Sequence, residues 1–357
     1  MKIAVFNTGR AFFGGAERRL GRTFNQIAKN GHEVHFVFRL FDNYDVVRKG
    51  FEDLLNEPSN IIFSAFSSDY KVFCFALRQK FDVVFYSGPS RSHLPFILGA
   101  KLSGSKTIFS VVNTSSANLL FSSIREKLNF RFVGFLSDGI DCLYPSSVDS
   151  LHSFFKGKTI TTTPCPFTNL NLFKAKPKTK TIAFIGRWLP CKNIDLFVKA
   201  VLSIQDELHD CGYHVLLAGN QERFTMTHDI IELIKTCKYT DLINVLGYIN
   251  PLDIIRSVEV FVSVQSINNY PSQSLLEAIS SGCYIIASDE GDTSLLVRDS
   301  FGTLCSLSPE SIASAILQYI NKTAAEKQIA QTEARQFAEA NFNFEHSVTY
   351  YTSLLKK

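Results

Sequence analysis

The stretch TIAFIGRWLPCKNIDLFVKAVLSIQDEL, residues 181–208, decides the fold of this chain. TIAFIG has the composition of a short buried strand, RWLPCKN is typical of a loop, and IDLFVKAVLSIQDEL has the apolar spacing of a helix. HVLLAG (214–219) then indicates a second strand. This order of strand, loop, helix and strand predicts two parallel strands joined by a crossover helix.

The beginning of the chain has the same order. KIAVFN (2–7) indicates a strand, TGRAFFGG a loop, AERRLGRTFNQIAKNG a helix that ends at Gly31, and HEVHFVF (32–38) a second strand. We therefore predict an α/β chain with two doubly wound parallel-sheet domains in series. Further strand-like segments lie at 81–88, 106–113, 138–146, 243–247, 258–265 and 284–288, and closing helices at 308–355.

The segment KGKTITTTPCPFTNLNLFKAKPKTK (156–180), rich in Thr, Pro and Lys, marks the boundary between the domains. We predict an N-terminal Rossmann-like domain over 1–165, a linker over 166–180 and a C-terminal Rossmann-like domain over 181–335. A last helix within 336–357 is expected to pack back toward the N-terminal domain. Ligands of such sheets bind outside the carboxyl ends of the strands, which predicts a cleft between the domains.

Composition excludes several classes of protein. With 45% hydrophobic and 20% charged residues, the chain is typical of a globular protein. Its eight cysteines are scattered and form no C-x-x-C pair, so neither a dithiol redox site nor a cysteine-based zinc site is expected. No apolar run approaches the ~18 residues of a membrane span, and the apolar start is too short for a signal peptide. These features predict a cytoplasmic protein.

The charge is unevenly distributed along the chain. Residues 1–170 contain 20 Lys and Arg against 13 Asp and Glu, a net charge of +7, whereas residues 171–357 contain 17 against 20, a net charge of −3. The first half therefore favours anionic lipid, a phosphorylated substrate or nucleic acid, although an ordinary solvated surface explains the charge equally well. Because no basic-aromatic repeat or recognised module is present, nucleic acid is not an expected partner.

Two loops at predicted strand ends have residues suited to a phosphate. Gly14 and Gly15 stand at a helix start, where backbone without side chains can approach a phosphate or sugar. Their spacing is not G-x-G-x-x-G, and a tight turn is the alternative interpretation. Arg187 and Lys192 follow the strand TIAFIG, and a guanidinium with an ammonium suits a diphosphate. Two surface cations beside a Pro-containing turn are the alternative.

The stretch QSINNYPSQSLLEAISSGC (265–283) combines a polar loop with a helix start. From about Ser272 the helix offers free N–H groups, and Ser274 adds a hydroxyl. Glu277 lies one turn further, where a carboxylate can accept hydrogen bonds from a vicinal diol such as a ribose. Alternatively, Glu277 is an acidic residue that is favourable to the helix dipole.

These elements together resemble glycosyltransferase family 4, whose members are retaining enzymes of the GT-B fold, here of the bacterial surface-polysaccharide type. The resemblance covers nearly all of 181–305, with a weaker match over 1–40. It implies two Rossmann-like domains that face a central cleft. The matching stretches are GGAERR, IGRWLPCKNIDLFVKAV, HVLLAGNQE, INVLGYIN, VEVFVSVQSINNYPSQSLLEAISSGCYIIAS and DEGDTSLLV.

The resemblance assigns roles to the candidate residues. Arg187 and Lys192 would hold the diphosphate of a nucleotide-sugar donor and stabilise its charge as the sugar leaves. Glu277 would bind the ribose. The remaining donor contacts would be Gly14 and Gly15 at the phosphates, Gly247 and Tyr248 at the base, Asn269 and Tyr270 at the sugar, and the helix N–H groups around Ser274 and Leu275. No D-x-D occurs in the chain, so we expect no metal and no other cofactor.

Two positions depart from the family pattern. The first of the usual two glutamates, eight residues before Glu277, is Asn269, and a register one residue longer gives Asn268. A neutral amide can bind sugar hydroxyls but gives no electrostatic help to an oxocarbenium ion. In place of the family's frequent histidine after the strand TIFSVV, this chain has Asn113, Thr114 and Ser115, in the segment NTSS. His93 is the candidate acid, base or acceptor contact, and a structural histidine is its alternative.

The acceptor side offers one segment, ANLLFSSIREKLNFRFVGFLS (117–137). Its mixed apolar and basic residues suit a helix at a membrane interface or against a lipid-linked acceptor, and a helix packed on the sheet is the alternative. We predict an enzyme that transfers a sugar from a nucleotide diphosphate to a glycan or lipid-linked saccharide. The rivals are a non-catalytic sugar-nucleotide-binding partner subunit, which the missing carboxylate favours, and a GT-B epimerase.

Overall fold

The chain forms two compact α/β units in a computed structural model. Unit 1 comprises Met1–Pro164 and Phe344–Lys357, and unit 2 comprises Cys165–Asn343. The structure describes residues 1–7, 15–40, 44–55, 60–87, 93–112, 117–163, 167–219, 226–247 and 249–356.

Unit 1 is built on a seven-stranded sheet in the order β3-β2-β1-β4-β5-β6-β7, in which every neighbouring pair is parallel. Ile3 lies opposite both Val34 and Val83, so the strand order reverses direction at β1. A reversal of this kind is the place where open α/β sheets bind ligands. The strands are β1 (Lys2–Asn7), β2 (Glu33–Arg39), β3 (Ile61–Phe66), β4 (Val83–Ser87), β5 (Lys106–Val111), β6 (Gly139–Cys142) and β7 (Thr159–Thr162).

The helices of unit 1 cover the sheet, and the last of them comes from the end of the chain. Tyr351 on this last helix packs its ring against Phe24 and Phe85, at centroid distances of 6.3 and 5.7 Å. The chain terminus therefore contributes to the core of the first unit. The helices are α1 (Gly15–Lys29), α2 (Tyr44–Leu55), α3 (Asp69–Gln79), α4 (His93–Leu102), α5 (Ile124–Leu136), α6 (Val148–Phe154) and, numbered in chain order, α14 (Phe344–Lys356).

A buried carboxylate fastens α14 to this sheet. Asp141, on β6, has no exposed surface and accepts hydrogen bonds from the hydroxyls of Ser110 (2.8 Å), Thr163 (3.1 Å) and Tyr350 (2.7 Å). Burial, followed by the charge of Asp141, raises the pKa of Tyr350. These hydroxyl donors, together with that of Tyr351 at 3.4 Å, satisfy the carboxylate, which would otherwise be costly to bury.

Arg19 makes the matching contact from α1. Its Nη1 donates to the hydroxyl of Tyr351 at 2.9 Å, and its guanidinium lies 5.9 Å from the centre of the same ring. Both side chains are almost completely buried. The contact joins a helix near the start of the sequence to the helix at its end.

Unit 2 repeats the architecture with six parallel strands in the order β10-β9-β8-β11-β12-β13. Its strands are β8 (Thr179–Ile185), β9 (His214–Ala218), β10 (Ile243–Leu246), β11 (Val258–Ser263), β12 (Tyr284–Ser288) and β13 (Gly302–Cys305). Its helices are α7 (Ile194–Ser203), α8 (Gln205–Asp210), α9 (Met226–Ile234), α10 (Pro251–Ile255), α11 (Gln273–Ser280), α12 (Pro309–Ile320) and α13 (Ala324–Asn341).

The predicted α/β class and the two doubly wound parallel sheets are confirmed, with differences in detail. Strands β3, β7 and β13 were not predicted from the sequence. β7 has the sequence TITT, which the Thr-rich composition concealed, and GTLC in β13 is too short to show a pattern. The predicted single helix after β8 is two helices, because Ile204 leaves helical geometry at φ −125°. No helix in the described ranges is both long and apolar enough to cross a membrane.

Candidate functional site

Three loops meet at the carboxyl edge of the unit 2 sheet. The N–H of Gly186 donates to the carbonyl of Ala218 at 3.0 Å, and the N–H of Gly219 donates to the carbonyl of Gly247 at 3.2 Å. Gly219 has φ +151°, and a Cβ there would lie 1.7 Å from the Gly186 carbonyl oxygen. Only glycine fits this contact, so the loops after β8, β9 and β10 are brought close together by backbone alone.

The loop after β8 carries Lys192 and is held against the loop after β11. Pro190–Lys192 form one turn of 3-10 helix, and Asn193 ends that turn in the left-handed region at φ 48°. The N–H of Ser266 donates to the carbonyl of Cys191 at 3.0 Å. This backbone contact fixes the position of Lys192 relative to the end of β11.

Gln265 receives the ammonium group of Lys192. Nζ of Lys192 donates to Oε1 of Gln265, whose other amide atom, Nε2, donates to the Ser263 hydroxyl at 3.0 Å. Ser288 in turn holds the backbone of Gln265. The N–H of Gln265 donates to the Ser288 hydroxyl at 2.8 Å, and that hydroxyl donates to the carbonyl of Gln265 at 2.7 Å. The amide is thus oriented on both sides, and Lys192 is held by a neutral group.

Among the residues with described positions, the charge of Lys192 has no carboxylate partner. No ion pair involves Lys192 within the described part of the chain. The pKa of Lys192 is lowered to about 8, chiefly by burial, and the neighbouring charge of Arg187 acts in the same direction. Arg187 itself is exposed at the end of β8. Two cations that disfavour each other at one strand edge favour an anion between them.

The start of α11 adds backbone donors on the next connection. Ser272 precedes the helix, and within the described residues no side chain caps its first turn. The hydroxyls of Ser272 and Ser274 lie 3.3 Å apart, so they contact each other. The first N–H groups of a helix have no acceptor within the helix, and the helix dipole makes this end favourable to anions.

The remaining predicted donor residues lie in the loop before α11 and within it. Glu277 is fully buried and Leu275 nearly so, whereas Asn269 is half-buried. Tyr270 is buried, and its N–H donates to Oδ1 of Asn268 at 3.2 Å. The structure therefore places the carboxylate of Glu277 in the packed interior of unit 2.

The loop after β12 contacts the segment that precedes α11. Nδ2 of Asn268 donates to Oδ2 of Asp292 at 2.8 Å, and both side chains are buried. Gly291 has φ +56°, and a Cβ there would lie 2.4 Å from the Cβ of Asn268. Asn268 thus contacts the loop after β12, which leaves Asn269 as the more exposed of the two amides.

Several predicted site residues lie in unit 1 or outside the residues that the structure describes. Gly14 and Tyr248 lie outside the described residues, as does the NTSS segment, and Gly15 is the first residue of α1. His93 begins α4 and is fully buried, with ring centroids 5.2 Å from Phe6 and 5.8 Å from Tyr86. Its surroundings are aromatic, as in a structural histidine, and its role stays a prediction.

Three polar residues of this site were not predicted from the sequence: Gln265, Ser263 and Ser288. Each is a polar residue at the end of an otherwise apolar strand, in VFVSVQ and YIIAS. Polar residues at the carboxyl ends of buried parallel strands face the ligand edge of the sheet, so this signal was available. No group of three or more His, Cys, Asp or Glu is arranged to hold a metal ion among the residues that the structure describes.

Known proteins that resemble this chain belong to one class of protein. Residues 179–322, which lie within unit 2, match the model of the family described as Glycosyl transferases group 1. No curated protein matches the sequence.

Solved structures resemble the whole chain. HepE of Anabaena, in complex with UDP-glucose, has a TM-score of 0.80 at 12% identity. The alignment covers 100% of this chain and 99% of the HepE chain. TarM of S. aureus, solved with UDP, has a TM-score of 0.77 at 12% identity, with 100% of both chains covered. Sucrose-phosphate synthase of Thermosynechococcus elongatus has a TM-score of 0.75 at 16% identity, with 99% and 98% covered. The fold is that of the GT-B glycosyltransferases.

Proposed function

We propose that this protein is a retaining, metal-independent glycosyltransferase of the family 4 type that uses a nucleotide diphosphate sugar as donor. The observation that carries the proposal is Lys192, a largely buried ammonium group held by the neutral amide of Gln265 beside Arg187. An ammonium in this position needs an anion to offset its loss of hydration, and a diphosphate supplies the charge. The family match over the same unit and the nucleotide-bound structural neighbours support a sugar nucleotide as the source of the diphosphate.

The proposed reaction breaks the bond between the sugar C1 and the diphosphate oxygen. Arg187 and Lys192 stabilise the negative charge that develops on the departing diphosphate, and the N–H groups at the start of α11 add dipoles to the same end. The acceptor hydroxyl attacks C1 from the face that the diphosphate leaves, and its proton passes to a phosphate oxygen. Fixed protein cations take the role that a metal ion has in the D-x-D class, and the chain has no D-x-D.

The other contacts in the proposal are those that the family resemblance implies. Glu277 binds the ribose, Asn269 and Tyr270 meet the sugar, and Gly247 with Tyr248 lies against the base. Gly14 and Gly15 are the proposed glycine contacts of the phosphates, and His93 is the candidate contact for the acceptor. The hydrogen bonds that hold the loops at Gly186, Gly219 and Gly247 together support a common binding edge for the base and the diphosphate.

The proposed acceptor is a glycan or lipid-linked saccharide in the assembly of a bacterial surface polysaccharide such as O-antigen or capsule. Such an acceptor places the protein in the cytoplasm, at the inner face of the membrane. The net charge of +7 over residues 1–170 supports this location, because anionic lipid attracts basic surfaces.

The test is a thermal-shift screen of the full chain against UDP, GDP, ADP and TDP and their sugars, with a chelator and then with Mg²⁺. A ligand at about 100 times its dissociation constant adds about 2.7 kcal/mol to the free energy of unfolding of the part that binds it. We expect stabilisation by one base family in chelator, and its loss in Arg187→Ala. Lys199→Ala, which removes an exposed cation from α7 of the same unit, is the matched control. No stabilisation by any nucleotide would contradict the proposal.

A non-catalytic partner subunit is the second candidate, and Asn269 favours it. The family's first carboxylate is absent at this position, and Asn268 is already engaged with Asp292. An enzyme should hydrolyse or transfer its donor, whereas a partner subunit should bind the donor without turnover. Asn269→Glu separates the two: new turnover only in the variant supports a lost activity, and turnover in the natural chain establishes an enzyme.

A further inference from the structure

Helix α5 (Ile124–Leu136) has one apolar face in the core of unit 1. Phe130, Val133 and Gly134 are fully buried. The ring of Phe130 lies 5.5 Å from that of Phe109 and 5.1 Å from that of Phe155, measured between centroids. These contacts are sufficient to seat the helix on the sheet, as the packed-helix interpretation requires.

A second apolar face of the same helix points into solvent. It consists of Ile124, Leu128, Phe132 and Phe135, which are 79%, 60%, 47% and 69% exposed. The spacing of four, four and three residues places the four side chains within about 80° of one another around the helix. We call this set the α5 stripe. A solvated helix on a packed domain normally has polar residues on its outer face, so the stripe needs a ligand or partner to cover it.

Cations border the α5 stripe on both sides. At about 100° per residue, Lys127 and Arg131 fall on one side of the stripe and Arg125 on the other, and all three are exposed. Glu126 is the only acidic residue of the helix, and it lies on a different face, where its carboxylate accepts hydrogen bonds from Ser122 at 2.7 and 2.9 Å.

A further cation lies at the end of the stripe. Nζ of Lys158 is 5.5 Å from the centre of the Phe135 ring and donates to the carbonyls of Phe135 and Ser137, both at 2.7 Å. This ammonium adds positive charge at the C-terminal end of α5, where the helix dipole is favourable to cations.

We propose that the α5 stripe is a docking surface for an anionic lipid bilayer. Thirteen residues give a helix about 20 Å long, and lying flat it would place the stripe among the acyl chains and the flanking cations among the headgroups. Charge decides between a lipid and an apolar partner, because the border of the stripe is cationic and residues 1–170 carry a net charge of +7. The inference deepens the proposed function by naming the surface that meets the membrane, and it rests on that function only for the nature of the acceptor.

The first experiment measures binding of the full chain to vesicles by co-sedimentation. Vesicles of phosphatidylcholine and phosphatidylglycerol in equal parts are compared with vesicles of phosphatidylcholine alone. We expect binding to the anionic vesicles that weakens as salt is raised, because ions screen the attraction between cations and headgroups.

Two substitutions of equally exposed residues form the decisive pair. Leu128→Ser removes a side chain of the stripe that is 60% exposed, and Val46→Ser removes one from α2 that is also 60% exposed. Leu128→Ser should reduce the partition coefficient about tenfold, since it removes one buried aliphatic side chain from the bilayer. Val46→Ser should change it less than about twofold, because this residue lies outside the stripe. Equal losses in the two variants would overturn the assignment of the surface.

The charge is tested in the same way. Neutralising Arg125, Lys127 and Arg131 to Gln should weaken binding to anionic vesicles about 100-fold, at about 1 kcal/mol for each cation near the surface. A control triple variant of Lys29, Lys49 and Lys71, which are also exposed, should lose far less.

Two other outcomes would overturn the inference. One is no binding to anionic vesicles at low salt. The other is concentration-dependent association of the chain that Leu128→Ser abolishes, which would assign the stripe to a second copy. Nucleotide-induced thermal stabilisation should remain normal in Leu128→Ser, because that residue lies in unit 1 and the nucleotide contacts at Arg187 and Lys192 lie in unit 2. Failure of vesicle binding and failure of donor binding are therefore separate results.

Discussion

The two units share one architecture and use their polar interiors differently. In unit 1, Asp141 accepts hydrogen bonds from four hydroxyls, and Arg19 donates to Tyr351, so the chain itself supplies the partners. In unit 2, Lys192 has a neutral amide as its partner and no ion-pair partner among the described residues. The difference separates a polar group that stabilises the fold from one that is available to a ligand. Three substitutions and a change of pH test this distinction.

The largest effect is expected at Gly219. Gly219→Ala would place a methyl 1.7 Å from the Gly186 carbonyl oxygen at φ +151°, so we expect a loss of about 4 kcal/mol or more in the free energy of unfolding of unit 2. Gly186→Ala is the control, because a Cβ there meets only Phe184, at 3.9 Å. Denaturant melts of both variants measure the effect. Equal stability of the two would mean that the strand-end loops are not in contact.

The second effect is on donor binding. Lys192→Ala should weaken nucleotide binding about 10- to 100-fold, because a charge-assisted contact contributes roughly 1.5–3 kcal/mol. Lys199→Ala, on the same unit, should bind normally. Calorimetric titration with the nucleotide that the screen selects measures both. Normal affinity in Lys192→Ala would place the donor site elsewhere.

The third effect concerns stability without binding. Tyr351→Phe removes the hydroxyl that receives Arg19, and we expect a loss of about 1–3 kcal/mol, or a few degrees in the melting temperature of unit 1. Tyr70→Phe changes a side chain that is 75% exposed and should leave the melting temperature unchanged. Nucleotide affinity should be the same in both variants. A weaker affinity in Tyr351→Phe would remove the distinction between the two units.

The smallest effect is a pH dependence of donor binding. The pKa of Lys192 lies at about 8 in the free protein, and a bound diphosphate should raise it. Binding therefore takes up a proton once pH exceeds the free pKa, and affinity should fall about fivefold from pH 7.5 to 9. In Lys192→Ala this slope should disappear. A natural chain with constant affinity over the range would show that the charge of Lys192 is not needed.

Sequence alone determined the fold class and the position of the two cations. Strand and helix periods are local, so TIAFIG and IDLFVKAV identify a parallel α/β unit, and the loop between them places Arg187 and Lys192 at the carboxyl end of β8. The family resemblance named the same positions. Short strands without a pattern, such as β13, were missed because their pairing is non-local.

Tertiary structure decided which of these side chains are buried and what holds them. Gln265 lies 73 residues from Lys192 in sequence, and their contact, with the lowered pKa that burial causes, exists only in the folded chain. The aromatic surroundings of His93 and the solvent exposure of Leu128 are equally properties of the fold. Burial and electrostatics depend on neighbours distant in sequence, which is why local residue patterns predict the positions of a site but not its charge state.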